Sequence, residues 1–468
     1  MLPELAIHHY YPAMRDSKGN KNFNCMNITS PPRHFQIGKL TLPIFIEFFL
    51  QMLVSNVDQF MVGHYSLDGV AAIGNANQIM NVLLLTFGVI SCATIILITN
   101  CIGAGDRRKV ELYHNLAMAV NLVFSVGVGL VLLFGSRTIY KMMHVPDEIM
   151  SQTMNYTIIV GSFIVFQAAT ITYSAIFRSH AMMKEGMIIS IIMNIVNIIG
   201  NAILIPHLAV SGAAIATVAS RAVSTGIGTL FFYKKLHSRF RFRLLWPFPY
   251  RELWNFLMIG VPTAGEMLSY NISQLAMMTF INMMGAVAIT TKVFCSMFAM
   301  LAYLFCISIG QASQVIVGYL YGAKKYNAAE ARTWKTTRIS MIVTLTVSIL
   351  LLIFAGPLLR LFGATEEIVS LGRWIMLVDL FLEQGRVLNV VLVRTLQTVG
   401  DIRFPTAICI FDTWLISVSV GYFLAFPCHM GLIGIWIAMA LDEITRGIIF
   451  YYRFKCGGWR KRNFLAIT

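Results

Sequence analysis

The chain has 468 residues, of which 57% are hydrophobic and only 12% charged, with a formal net charge of +15. Soluble domains carry about 25% charged residues, so a soluble core is excluded and the composition is that of a polytopic membrane protein. The positive charge is spread over alternate loops, which makes the anionic lipid bilayer its partner and argues against nucleic acid.

In chain order, residues 1–34 are polar, with Asp16, Ser17, Gly19 and Asn20, and have no apolar core. They read as a cytoplasmic tail rather than a cleavable leader. Twelve apolar stretches follow, near 36–62, 70–99, 113–134, 152–177, 186–206, 209–233, 253–283, 285–316, 336–358, 368–393, 404–427 and 430–452. Each is long enough as a helix to cross ~30 Å of hydrocarbon. Backbone groups in lipid must be satisfied internally, and the ten-residue alternation of a membrane barrel is absent, so helices are expected.

Basic clusters at Arg107-Arg108-Lys109, from Lys234 to Arg243, at Lys324-Lys325 and at Arg460-Lys461-Arg462 fall on one set of loops. The other set has Arg137, Lys141 and Arg360 as its clear positives. This bias predicts a multi-pass protein of the cell membrane, plasma or inner, with both termini cytoplasmic. Pro146-Asp147-Glu148 and Ala364-Thr365-Glu366-Glu367 read as matching helix starts, with acidic residues near the N-termini.

The chain also repeats itself. Pro43 and Glu47 recur 219 positions later as Pro262 and Glu266, and Gly103-Ala104 with Glu111 recurs as Gly322-Ala323 with Glu330. Ser211 to Ala216 is echoed by Ile433 to Ala438, and Arg178 by Arg394. Each half holds an even number of spans, so the halves share one orientation. The fold class expected is all-α: twelve transmembrane helices in two parallel six-helix lobes about a pseudo-twofold axis along the membrane normal. The division is a tail at 1–34, a first lobe at 35–233, a basic cytoplasmic linker at 234–252, a second lobe at 253–453 and a basic tail at 454–468. The Arg/Phe alternation of the linker also suits a segment lying on the cytoplasmic leaflet.

An ionisable group at mid-membrane costs at least ~2.5 kcal/mol on insertion scales, which makes each one a functional candidate. In the first lobe these are Glu47 and Asp58, eleven residues apart and therefore about 20° off a whole number of turns. Both can face one cavity. In the second they are Glu266, Lys292, Asp379, Glu383, Arg386 and Asp412. Asp379 and Glu383 share a helix face, and Arg386 is placed to neutralise Glu383. The Asp442-Glu443/Arg446 group reads as helix-end packing. Asp58 sits among Val57 and Phe60-Met61-Val62 with no cation near it in sequence, which suits a proton or sodium site. Eight methionines between Met258 and Met300, Met267 among them, suit a surface that accepts varied apolar or cationic ligands. The eight cysteines show no CxxC and mostly fall inside spans, as small buried hydrophobes do.

With these residues in view, the chain resembles the multidrug and toxic compound extrusion (MATE) family of cation-coupled efflux transporters. The resemblance rests on Pro43 through Val57-Asp58-x-x-Met61-Val62-Gly63, Gly103-Ala104-Gly105 and Asn197 through Asn201. It continues in Gly212–Ala216 with Gly434–Ala438, Glu383 through Asn389, and Gly400-Asp401 through Pro405. It implies a V-shaped pair of lobes around a central cavity and antiport of protons or sodium against organic cations. Asp58 matches the family's first-helix coupling acid and Asn197 its fifth-helix neighbour. Asn201 stands where one prokaryotic branch has Asp, and Glu266 resembles the seventh-helix Glu of the sodium-type branch, one turn earlier. The expected coupling set is therefore Asp58, Asn197, Asn201, Glu266 and Glu383, and the expected substrate cavity Glu47, Met267, Lys292, Asp379 and Arg386. No cofactor or structural metal is expected beyond the coupling ion, and the carrier is expected as a monomer. A lipid-linked saccharide flippase of the same superfamily is the alternative, though acids outnumber cations in the cavity set. GxSxG, HExxH and Walker signatures in a usable context are absent, so neither an enzyme nor direct ATP drive is expected.

Overall fold

The computed structural model describes residues 36–461, and all regular structure among them is helical. The polar tail at 1–34 and residues 462–468, including Arg462 of the terminal basic cluster, lie outside the described residues. The first lobe comprises α1 (Ile37–Gly63), α2 (Leu67–Ala104), α3 (Arg107–Met142), α4 (Asp147–Ser162), α5 (Ile164–Ser179) and α6 (Met183–Lys234). The second comprises α7 (Tyr250–Asn282), α8 (Ala286–Gly322), α9 (Tyr326–Leu361), α10 (Glu366–Thr398), α11 (Arg403–Asp412), α12 (Gly421–Ala425) and α13 (Gly431–Lys455).

The expected spans map onto these helices with three departures. The span near 152–177 is two helices, α4 and α5, bent by 52° at Phe163. The spans near 186–206 and 209–233 run together as the 52-residue α6, which folds back at Ala209, a residue with φ of 47° three positions after Pro206. The fold-back is tight. A Cβ on Gly212 would sit 2.6 Å from the Leu204 carbonyl carbon, so only glycine fits there. Gly434 meets Leu424 and Ala425 in the same way in the second lobe, which accounts for the repeated small-residue segments. Thirdly, α11 passes into α12 through a π-helical stretch, Thr413–Val420.

Among the described residues, seven helices are long and apolar enough to cross a membrane, eight when the bent pair counts as one span. α7, α10 and α13 fall outside that group because of their polar residues, such as Asp442, Glu443 and Arg446 within one turn of α13. With α6 taken as two spans, α4–α5 as one and α11–α12 as one, the fold has twelve.

The lobes meet where α2 crosses α8, and the contacts obey the repeat. Thr99 faces Gly318; Gly103 lies against the backbone of Tyr319, and Gly322 against the backbone of Asn100. Thr99 and Gly318 are counterparts 219 positions apart, and the same shift turns the Gly103–Tyr319 contact into the Gly322–Asn100 contact with the lobes exchanged. Hydrogen bonds extend the seam: Asn100 Nδ2 donates to Thr398 O at 3.0 Å, and Tyr319 Oη to Ser179 O. These contacts lie in the half of the helices nearer the basic loops. The linker leaves that end with Phe240 stacked on Phe232 at 4.3 Å and the Arg241 amide donating to Asn115 Oδ1 at 2.7 Å. Beyond it, Trp246 and Tyr250 are exposed.

Candidate functional site: buried carboxylates of the two lobes

Asp58, on the half of α1 away from the basic loops, is 1% exposed. Four neutral donors from α4 and α6 reach its carboxylate. Asn201 Nδ2 and Asn197 Nδ2 donate to Oδ1 at 2.7 and 3.1 Å. Thr217 Oγ1 and Tyr156 Oη donate to Oδ2 at 2.7 and 3.2 Å. Asn197 and Asn201 are four apart and so share one face of α6, while the turn at Ala209 folds Thr217 back beside them. Asn197 Nδ2 also donates to Thr217 Oγ1 at 3.1 Å. A buried carboxylate is tolerated when hydrogen bonds replace its water, and this shell does so with dipoles alone. Arg221, one turn past Thr217, lies within electrostatic range of both Asp58 and Tyr156; local sequence around Asp58 gave no sign of it.

Tyr156 and Thr217 were not among the sequence candidates. Thr217 directly follows the Gly212–Ala216 packing segment, and a hydroxyl at the end of that small-residue stretch was the available signal. Tyr156 carries no comparable mark.

Glu47 does not join Asp58. It is fully buried near the basic-loop end, where Arg178 of α5 donates to it at 2.6 and 3.3 Å and Gln51 Nε2 at 3.3 Å. The eleven-residue spacing does allow a common face, but Arg178 claims Glu47. Gly186 of α6 packs on this carboxylate, where a Cβ would come within 2.8 Å of Oε2. Arg178 also crosses the seam, donating from Nη1 to Gln311 Oε1 at 2.7 Å. The counterpart contact exists. Arg394 reaches across to the Cys92 sulfur at 3.2 Å, and Cys92 stands 219 positions before Gln311. Each lobe thus offers an arginine to the other.

In the second lobe the charges gather into one buried network. Glu383 pairs with Arg386 as the three-residue spacing predicts, and Arg386 Nε continues to Glu443 Oε1 at 3.5 Å. Asn389 Nδ2 donates to Glu443 Oε2 at 2.7 Å. Arg446 bonds Asp442 Oδ2 at 2.5 Å and Glu443 Oε1 at 3.4 Å. Asp379, a turn before Glu383, accepts from Trp436 Nε1 at 3.2 Å. Glu266 is half-buried and accepts from Gln397 Nε2 at 3.4 Å and Thr406 Oγ1 at 3.5 Å, with Arg394 and Arg446 in electrostatic range. The Asp442-Glu443/Arg446 group, expected at a helix end, is part of this interior. Six carboxyl groups (Glu266, Asp379, Glu383, Asp412, Asp442 and Glu443) share three guanidiniums (Arg386, Arg394 and Arg446), so the region is acidic on balance. Met267 lies half-buried beside Glu266, and Lys292 half-buried on α8. Lys292 makes no ion pair among the described residues.

Comparison with known proteins gives a consistent picture. A family model described as MatE matches the chain twice, over residues 43–203 and 262–423. An uncharacterized transporter, YisQ of Bacillus subtilis, is 32% identical over 435 residues, covering 92% of this chain and 96% of that protein. A probable multidrug resistance protein, NorM of Thermotoga maritima, is 27% identical and covers 92% and 94%. Among solved structures, MATE in its bent conformation superposes with a TM-score of 0.85 at 19% identity, covering 91% of this chain and 96% of that one. A mutant of the Vibrio cholerae MATE transporter VcmN gives 0.84 at 17%, over 92% and 97%.

Proposed function

This chain belongs to the MatE family, and on that footing we propose that it is a cation-coupled antiporter exporting amphipathic, mostly cationic small molecules. Protons or sodium ions moving inward drive the export by alternating access. The observation that carries the reading is the donor shell of Asp58, which ties one ionisable group to α1, α4 and both arms of α6.

The chemistry follows from the donors. In the arrangement described, both carboxylate oxygens accept, which suits the charged form. For Asp58 to take a proton, a hydroxyl of Thr217 or Tyr156 must turn from donor to acceptor, or a bond must part. A cation meets the same conflict, since it repels the amide and hydroxyl hydrogens now pointing at the oxygens. Either event therefore changes what holds α1 to α4 and α6, and a ligand that binds two arrangements unequally shifts their populations. The acidic second lobe supports organic cations as cargo, because unneutralised carboxylates attract them strongly at low dielectric. The printed names of NorM relatives as probable multidrug resistance proteins support the same class. With the basic loops in the cytoplasm, the α2–α8 seam closes the inner side. We place the carrier in the cell membrane as a monomer, with both termini inside.

The test is ethidium efflux from proteoliposomes under a proton gradient or a sodium gradient, imposed separately. One gradient drives transport, and Asp58→Asn abolishes it while the variant still inserts and remains monodisperse. Transport at wild-type rate in Asp58→Asn overturns the coupling role, and failure under both gradients overturns the antiport reading.

A further inference from the structure

Two acids of the second lobe have so far counted only toward its acidic balance. Asp412 closes α11 just before the π-helical stretch, and Asp442 lies on α13; they are 5% and 3% exposed. Their carboxyl groups lie within hydrogen-bonding reach of each other. Two ionised carboxylates cannot make that bond, because neither has a hydrogen to give. Asp442 Oδ2 is well supplied, accepting from Arg446 Nη2 at 2.5 Å and Ser417 Oγ at 2.9 Å. By contrast, Asp442 Oδ1 and Asp412 Oδ2 are buried without any partner. A buried carboxylate oxygen with no donor carries the full desolvation penalty. One proton shared between the two groups supplies the missing donor and removes their mutual repulsion.

The surroundings point to a proton rather than a metal ion. Among the described residues, no three His, Cys, Asp or Glu side chains converge as a metal site requires. The charged groups facing the pair are Arg446 and Glu443 from α13, with Glu266 and Tyr270 from α7, Cys409 from α11 and Arg386 from α10 grouped around those two. Arg446 is divided between Asp442 and Glu443, and Arg386 between Glu443 and Glu383. Asp412 itself makes no ion pair among the described residues. The π-helical turns matter too. They widen the helix immediately after Asp412 and bring Ser417 onto Asp442, and such segments cluster at functional positions.

We infer that Asp412 and Asp442 form a proton-binding pair, a second ionisable site in the second lobe that holds one proton between two carboxyls. In the transport cycle the pair releases that proton when Arg446 or the π-helical segment shifts, and it rebinds one when they return. Only this last role rests on the antiport reading; proton binding itself does not.

The experiment is attenuated-total-reflection infrared difference spectroscopy of the reconstituted full chain between pH 8 and pH 5, in water and in deuterium oxide. The carbonyl stretch of a buried protonated carboxyl lies well above that of the amide band and moves on deuteration. We expect one such band to vanish in Asp412→Asn and in Asp442→Asn but to persist in Asp58→Asn. Ser417→Ala, which keeps both carboxyls and removes one donor, shifts the band without deleting it. A spectrum unchanged in both Asp412→Asn and Asp442→Asn overturns the inference. If either variant fails to fold, an unmoved band in Ser417→Ala overturns it as well. Loss of ethidium efflux with the band intact would count against the antiport reading and leave the pair standing.

Discussion

The α2–α8 crossing gives a prediction that follows from backbone geometry alone. In Gly322→Ala the new methyl would lie 2.9 Å from the Asn100 carbonyl carbon and 3.1 Å from the Ala104 amide nitrogen. Optimal carbon–carbon separation is about 3.5–4.0 Å, so the two helices must part by about 0.6 Å or more. The Asn100 carbonyl oxygen lies nearer still, and all three obstructing atoms are backbone, so no rotamer change relieves them. Overpacking of this kind costs about 1–3 kcal/mol, and the cost falls only on the arrangement in which the seam is shut. It therefore shifts the shut-to-open ratio about 5- to 150-fold. Spin labels at Arg108→Cys and Asn327→Cys, pseudo-symmetric exposed sites near the basic loops, report the separation by pulsed electron resonance. Cys25, Cys428 and Cys456 are replaced by Ser in that background. Gly322→Ala is expected to move population to longer distances. Gly88→Ala, whose Cβ meets nothing within 4 Å, serves as the control and leaves the distribution alone. An unchanged distribution in Gly322→Ala refutes the claim that this crossing sets the closed state.

Glu47→Ala leaves Arg178 buried without its carboxylate, an uncompensated charge worth about 3–5 kcal/mol. Thermal unfolding in detergent shows a large drop in Tm, and Glu47→Leu combined with Arg178→Met recovers most of it; equal losses in the single and double variants would speak against the pair. His180, in the turn after α5, is half-buried against His114 with a 3.0 Å bond between their Nε2 atoms. Burial lowers its pKa from 6.5 to about 3. A depressed histidine is neutral when folded and binds a proton when unfolded, so its contribution is complete above pH ~6.5. It falls by about 1.4 kcal/mol per unit as pH drops toward 3. His180→Asn is expected to flatten the acid side of the stability profile, and an unaltered slope between pH 7 and 5 contradicts this.

The architecture was largely legible in the sequence because lipid leaves few options. Span lengths, the loop charges and the 219-residue repeat together lead to two six-helix lobes, and the structure and its neighbours agree. The misreadings were local. The bend at Phe163 went unread although Gly161 and Ser162 stand before it, whereas the turn at Ala209 falls where the expected spans near 186–206 and 209–233 part. Site residues were legible where the partners are neighbours on one helix, as with Glu383 and Arg386 or Asn197 and Asn201. They were hidden where partners come from distant helices. Nothing local links Glu47 to Arg178, Asp58 to Tyr156, or Asp412 to Asp442, since each pairing is decided by how whole helices pack.

The bend at Phe163 makes α4 and α5 a lever. Tyr156, which holds Asp58, lies seven residues to one side of it; Arg178, which holds Glu47 and Gln311, lies fifteen to the other. At 1.5 Å per residue these arms are about 10 and 22 Å long. A rotation of about 5° at the fulcrum moves Tyr156 by roughly 1 Å and Arg178 by roughly 2 Å. A hydrogen bond does not survive an added ångström or two. Movement at the ionisable end thus arrives about doubled at the interlobe end, and one bent rod is long enough to carry it there.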